Sequence, residues 1–423
     1  MTHRSDTALL RRLVEDIGPR WSADTGNRLA AETIRDELVD RGFGSVPGTS
    51  VRTQAFPFSG WKPVNTPVLS ITAPELRDVP VAPMEYSGLT PAEGVEGVLR
   101  KAGEAHVVPG FLDWPQYGLF DMDGRLLALF IGHEGLSGWD APPIPLHNPE
   151  PAFPYPMAML GQADHRRIAE ELEQGATLTA RFSGGGEPAV LTGHNVVARI
   201  EGDQPDTVVF TAHIDTSFRS PGANNNAGGV QVLATLAREL LRELRTGGRG
   251  DGGEAGAESA VASAAGAAAG GTHPSVEFLF CDATEWQFLG SRHYLFRRGT
   301  VAAAPPIIAN VNIDSITSGT EAFFVSSDDW MKARIEEVID TQNLRDRFDS
   351  VTTIGGVEGS DDHSFIQAGI HATEILFWPC ETYKTPADDM SGVDEARVAD
   401  AVATGRAFLD SIHSAVANGK EQQ

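Results

Sequence analysis

TAHIDTSFRSPGANNNAGG, residues 211–229, follows directly on the apolar run Val208-Val209-Phe210. The run reads as a buried strand, and it leaves His213 and Asp215 where that strand ends. A turn at Pro221-Gly222 follows. A helix then begins near Asn226, with Val230, Leu233, Ala237, Leu240 and Leu244 at helical spacing. In an open α/β sheet, side chains that do chemistry sit in this place, at the carboxyl end of a strand beside a helix start.

The same alternation extends outward from that stretch. Strands are expected over Asn195–Ile200, Thr207–Ala212, Val276–Phe280, Ile307–Ile313, Ala322–Ser326 and Ala372–Phe377. Helices are expected between them, near 226–244, 286–298, 328–341, 361–368 and 394–416. Strands this apolar are covered on both faces, which predicts an α/β fold with a mostly parallel or mixed sheet flanked by helices. Upstream, residues 5–43 read as helix, with Ala30, Ile34 and Leu38 every fourth position and Gly42 as the stop. From about 50 to 185 the chain turns to prolines and short apolar runs such as Leu126–Ile131, with one helix near 164–174. That is the pattern of a smaller β-rich domain. The expected organisation is a helical segment over 1–48, a β-rich domain over 49–188 and an α/β domain over 189–423. The segment 246–272, almost only Gly, Ala, Ser and Glu, reads as a flexible surface insert.

Composition sets outer limits. The chain has 423 residues, 41% of them hydrophobic, which is room for two or three domains with substantial cores. A formal net charge of -25 argues against nucleic acid or an anionic membrane surface as partner. Two cysteines, Cys281 and Cys380, make no disulfide framework. With no signal-peptide pattern at the first residues and no apolar run near the ~20 needed to span a bilayer, a cytoplasmic location is expected.

Six stretches occur in order: GHNVVARIEGDQPDTVVFTAHIDT, PGANNNAGGVQVLATLAREL, VEFLFCDATEWQFLGSRHYL, ANVNIDSI, GSDDHSFIQAGI and YKTPADDMSGVD. Together they resemble the co-catalytic zinc aminopeptidases of the bacterial leucyl-aminopeptidase type, whose relatives include glutamate carboxypeptidase, glutaminyl cyclase and transferrin receptor. The region 50–185 resembles the protease-associated insert domain found in that superfamily. The resemblance implies an aminopeptidase fold and a possible homodimer.

It also implies roles for particular residues. His213 matches the first metal ligand, and Asp215 the carboxylate that supports its imidazole. Asn225, in Asn224-Asn225-Asn226, stands where the family has a metal-bridging Asp. Thr284-Glu285 stands where the family has its Glu-Glu pair, so Glu285 matches a metal ligand and Thr284 replaces the general base. Asp314 matches a further ligand. Lys384, in Lys384-Thr385-Pro386-Ala387-Asp388, stands where the last ligand is a His.

These departures have chemical consequences. A protonated ammonium has no lone pair and is not a ligand. An amide bridges metals far more weakly than a carboxylate, and threonine is no base near neutral pH. The expectation is a reworked site without cofactor, in which Lys384 neutralises Glu285 and Asp314. The alternative keeps one zinc on His213, Asp314 and Glu285, with Asn225 or water completing the shell. His363, Tyr383 and Asn225 are candidates to contact substrate, Trp286 and Trp378 either to wall the pocket or to pack as core aromatics, and Cys281 to pack in the core. Three functions stay open: an enzyme with a reworked site acting on a peptide, amide or amino-acid-derived molecule; a binding homologue without catalysis; and a one-metal peptidase.

Overall fold

The computed structural model describes residues 7–84, 86–108, 112–132, 155–247, 273–301, 304–355 and 359–421. The insert expected over 246–272 lies outside these from residue 248 onward. In chain order the helices are α1 Ala8–Arg11, α2 Thr25–Arg41, α3 Gln162–Glu173, α4 Gly228–Gly247, α5 Leu289–Gly299, α6 Asp329–Thr341, α7 Asp362–Gln367 and α8 Glu395–Glu421. The strands are β1 Thr49–Ala73, β2 Arg77–Val79, β3 Val81–Pro83, β4 Val95–Val108, β5 Leu112–Phe120, β6 Leu126–Gly132, β7 Met157–Leu160, β8 Leu178–Ile200, β9 Gln204–His213, β10 Pro274–Cys281, β11 Ile307–Ile313, β12 Glu321–Ser326, β13 Ser350–Gly355 and β14 His371–Trp378.

Among the described residues these form one mixed α/β sheet in the order β13-β12-β14-β11-β9-β10-β8-β4-β5-β6-β7-β3, with β1 also on β8 and β2 on β1. The centre, β10, β9, β11 and β14, is parallel. β12 and β8 join it antiparallel. Both faces are covered, as the apolar strands require. Val196, Ala198, Val208 and Phe210 point into the core under α2, α4, α6 and α8. Their neighbours Val197 and Val209 point the other way, to Tyr294 of α5 and Phe365 of α7.

The expected strands are present at their places, Ile307–Ile313 with the bounds expected and the others extended by one to a few residues, except that Asn195–Ile200 is only the end of the 23-residue β8. β8 pairs with the 25-residue β1 as a ribbon that runs from the main sheet into the β-rich region. The ribbon turns where register shifts near Pro63 and Asn65 face Gly184 to Gly186. Gly185 has φ +112°, and a Cβ there would overlap the Gly88 carbonyl. Beyond that bend a second core forms from Leu69, Leu99, Phe130, Ala158, Ile168 and Phe182.

The helix expected over 5–43 is broken. α1 runs on through Arg12–Ile17, and the chain then leaves helical geometry at Gly18, with φ +78°, and Pro19. α2 restarts behind Asp24, whose carboxylate caps the Asn27 amide at 2.7 Å. The break places Arg20 in the interior, where it is 0% exposed. Its guanidinium donates to the carbonyls of Ile214, Leu13, Gly18, Pro221 and Gly222, at 2.6–3.1 Å. It therefore ties the N-terminal segment to both ends of the 214–222 loop. Burial draws its pKa down to about 10.

Arg20→Met keeps the volume but orphans these carbonyls. The expected cost is about 3 kcal/mol or more, read as a lowered denaturant midpoint. Arg20→Lys, which lacks the planar fork, recovers only part of it.

Candidate functional site

The site gathers at the carboxyl ends of β9 and β11 and on three loops. β9 ends at His213. The chain then turns at Gly222, with φ +61°, where a Cβ would overlap Thr216 and the Asn225 carbonyl. The next residues are clamped from elsewhere. Asp388 accepts the amides of Asn224 and Asn225 at 2.7 and 3.1 Å. Asn224 Oδ1 accepts from the Thr317 amide at 2.9 Å. Asn226 Nδ2 donates to the Ile313 carbonyl at 2.8 Å, and its Oδ1 accepts the Gly229 amide at 3.0 Å. That cap explains why α4 begins at Gly228 and not at Asn226. The Asn225–Asn226 peptide is cis.

This clamp aims Asn225 between two partners. Its Nδ2 donates to Glu285 Oε1 at 3.2 Å, and its Oδ1 lies 2.8 Å from His213 Nε2. A carboxylate only accepts, so the amide nitrogen must face Glu285 and the amide oxygen His213. His213 Nδ1 in turn lies 2.8 Å from the backbone carbonyl of Asp215. Both ring nitrogens face acceptors, which makes His213 an imidazolium. Burial opposes that charge, but Asp314 Oδ2 at 3.5 Å outweighs it and holds the His213 pKa well above its ordinary value.

Asp215 meets the imidazole through its backbone, its Oδ1 being 3.6 Å from Nδ1. Its carboxylate instead accepts the amides of Thr284 and Glu285, at 3.1 and 3.0 Å, and the Ser22 hydroxyl at 3.0 Å. It thereby fixes the loop that carries both of those residues.

Glu285 is completed by Lys384, whose Nζ donates to Oε2 at 2.5 Å; the two side chains are 3% and 8% exposed. Burial alone would lower the lysine pKa, but the Glu285 charge raises it above the ordinary lysine value. Lys384 is thus a fixed cation and not a base. Tyr383 lies under it, ring centroid 5.4 Å from Nζ, and packs edge-on against Trp378 at 5.3 Å. Asp314 accepts from the hydroxyls of Ser315 and Ser360, at 2.9 and 2.7 Å. Although burial raises a carboxyl pKa, His213 and these hydroxyls bring that of Asp314 below its usual value.

The structure therefore brings together His213, Asn225, Thr284, Glu285, Asp314, Tyr383 and Lys384 around a cavity of about 20 Å³, room for one water. His363 is not among the lining residues and sits 6.1 Å from the Phe288 ring. Trp286 packs away, against Trp21, Phe58 and Tyr86. Cys281 and Cys380 are buried free thiols. Among the described residues no three His, Cys, Asp or Glu side chains converge as a metal-binding group.

Sequence reasoning missed the buried carboxyls behind the pocket. Asp361 accepts from the Thr284 hydroxyl at 2.7 Å. Among the described residues no group meets full hydrogen-bond geometry with either carboxylate oxygen of Asp362. Burial pushes Asp361 to about 6, and burial plus the Asp361 charge pushes Asp362 to about 8. Asp282, under the same loop, is raised by burial and by Asp215 to about 7. The signal was the polar run Ser360-Asp361-Asp362-His363, of which only the histidine drew a role.

The sheet order, the helices on both faces and the pocket at the strand ends define an aminopeptidase-like α/β protein. Residues 195–409 match the model of peptidase family M28, and the chain belongs to that family. It is similar to Aminopeptidase YwaD of Bacillus subtilis (strain 168), 26% identical over 227 residues, which are 51% of this chain and 43% of that protein. The match thus spans less than half of that relative's length. Among solved structures it is similar to BSAP, a zinc aminopeptidase from Bacillus subtilis, with 19% identity over 95% of this chain and 92% of that one and a TM-score of 0.66. It is also similar to the aminopeptidase of Aneurinibacillus sp. strain AM-1, with 17% identity, 96% and 94% coverage and a TM-score of 0.62. The peptidase M28 precursor of Shewanella amazonensis SB2B gives 16% identity, 96% and 93% coverage and a TM-score of 0.70. At these identities the structural likeness establishes the fold alone.

The raised carboxyls set a pH dependence. The folded chain holds protons on Asp282, Asp361 and Asp362 that an unfolded chain, titrating near ~3.9, has released. That contribution to stability is full below about pH 4 and is lost as pH rises through about 6 to 8. The raised His213 acts in the same direction. The melting temperature is expected to fall as pH rises from about 4 to about 8, with a shallower fall in Asp362→Asn.

Proposed function

We propose that this chain is a family member whose strand-end site works without paired zinc ions and holds a peptide or amino-acid-derived molecule at its mouth, above a cavity that admits only a water, rather than hydrolysing it. One observation carries the reading: Lys384 Nζ occupies the space beside Glu285, 2.5 Å from Oε2, where a metal would need that carboxylate. The rest of the donor set agrees. His213 has both nitrogens committed to acceptors, and Asn225 offers an amide where a bridge needs a carboxylate. These residues do not fit a paired-zinc centre. Thr284 supplies no base for attack by water, a loss worth roughly 10²–10⁴-fold in rate.

Under this reading wild-type protein, purified without chelator, contains substoichiometric zinc and leaves an amino-acid anilide intact when zinc is added. The variant Asn225→Asp/Thr284→Glu/Lys384→His gains both zinc and anilide hydrolysis. Two zinc ions per chain with hydrolysis in the wild type would overturn the proposal.

The ion pair makes its own prediction. Lys384→Met leaves a buried, uncompensated carboxylate and costs about 3–5 kcal/mol. Adding Glu285→Gln recovers most of that loss, since the double variant buries no charge there. Additive losses in the denaturant midpoints would show that the two side chains are not coupled.

A second reading keeps catalysis. The Thr284 hydroxyl lines the pocket and donates to Asp361, 2.7 Å away, the hydroxyl-to-base arrangement of an activated nucleophile. In this reading Thr284 Oγ bonds to an acyl carbon, its proton passes to Asp361, and the leaving group departs with its electron pair. An acyl adduct on Thr284 after exposure to a nitrophenyl ester, absent in Thr284→Val, would favour it over binding alone.

A further inference from the structure

Far from the pocket, a cleft of about 540 Å³ opens where α5 ends. Arg52, Arg199, Arg297 and Arg298 line it, with Glu277 the single carboxylate among its walls. α5 follows the Thr284-Glu285 loop and runs back along the sheet. Arg298 near its end therefore reaches the amino ends of the parallel strands, donating to Thr207 Oγ1 at the start of β9 and to the Pro305 carbonyl before β11, both at 2.9 Å. The strands supply the other wall. Arg199 on β8 lies directly across from Glu277 on β10. Arg52 on β1 is two residues from Ser50, the partner of Arg199, so the two arginines share a face.

The four guanidiniums are not equivalent. Glu277 is 2% exposed and takes Arg199 at 2.5 Å, Arg298 at 2.7 Å and the Tyr294 hydroxyl at 2.8 Å. One carboxylate balances one of these two arginines, and a structural role explains the pair. Arg52 and Arg297 are exposed, and their guanidiniums make no hydrogen bond or ion pair with the described residues. Repulsion among like charges in one cleft is unfavourable without an anion between them. The chain as a whole has 58 acidic against 33 basic residues, so a concentration of four arginines around one acid runs against its composition. Pro305, Val301 and Ala304 add an apolar border. The volume falls within the range usual for small-molecule sites, and planar guanidiniums match the oxygens of phosphates and carboxylates in pairs.

We infer that this cleft is a binding site for an oligoanionic small molecule, a phosphorylated or polycarboxylate compound, held by Arg52 and Arg297 against the scaffold of Arg199, Glu277 and Arg298. The site is independent of the strand-end pocket and stands whatever that pocket does. The test is calorimetric titration of the full chain with inorganic pyrophosphate and, separately, with citrate, at low and at physiological salt. Saturable binding at one site per chain is expected for at least one probe, and comparison of the two identifies the preferred anion. Arg52→Ala and Arg297→Ala each weaken it by roughly tenfold or more, the loss of one charge-assisted contact. Both variants retain the Glu277 network, so their melting temperatures stay near that of the wild type. No saturable binding at physiological salt to either probe, or binding undiminished in the Arg52→Ala/Arg297→Ala double variant, overturns the inference.

Discussion

Carboxylates buried at the ends of parallel strands must find a cation or backbone amides within hydrogen-bond reach, or become easier to protonate. Both outcomes occur within a few residues of each other. Glu285 and Asp314 find cations, Lys384 at 2.5 Å and His213 at 3.5 Å, and the lysine and histidine are held protonated in return. Asp361 and Asp362, one layer deeper, find none and shift upward to about 6 and 8. Every position in the pocket follows from this division. Asn225 is the neutral piece between the two halves, its amide turned by the charge on either side of it.

The loops that deliver these groups are held by backbone bonds more than by packing. Arg20 spends its guanidinium on five carbonyls and none on a carboxylate. Asp215 and Asp388 each spend both oxygens on loop amides. Such bonds fix the direction of a loop without filling the cavity beside it. Residues that face the cavity, such as Thr284 and Lys384, can therefore be changed without rebuilding the loops behind them.

How much of this could be read from the chain follows from what leaves a periodic trace. Val208-Val209-Phe210 and Ile307–Ile313 are buried on both faces, and continuous apolar runs announce them. β13, Ser350–Gly355, is an edge strand without a buried residue, and its polar sequence gave no such signal. The length of β8 was hidden because the expected boundary between 188 and 189 falls inside it; Gly184-Gly185-Gly186 serve as a bend. At the site, His213, Asn225, Glu285, Asp314 and Lys384 were found through the order of six stretches, and they do meet. The contact of Asp215 with the imidazole through its carbonyl was beyond reach, because a side chain named in a motif says nothing of which of its atoms does the work. Arg20 was equally hidden: an arginine beside Gly18-Pro19 reads as solvent-facing until the loop it supports is in view.

Net charge proved the least local of these signals. A balance of -25 over the chain argues against large anionic surfaces, where many contacts sum over long distances. It does not describe the field inside a cleft. In physiological salt the interaction between exposed charges falls off over about 8 Å, so a small ligand is governed by the groups within its own contact distance. At the end of α5 those are four arginines and one acid already shared between two of them. At the other end of the same helix, the loop preceding it carries Glu285, neutralised by Lys384. One eleven-residue helix thus separates a balanced pocket from an unbalanced one. The unbalanced cleft is where an anion from solution has something to gain, since charge already paired within the protein has little left to offer a ligand.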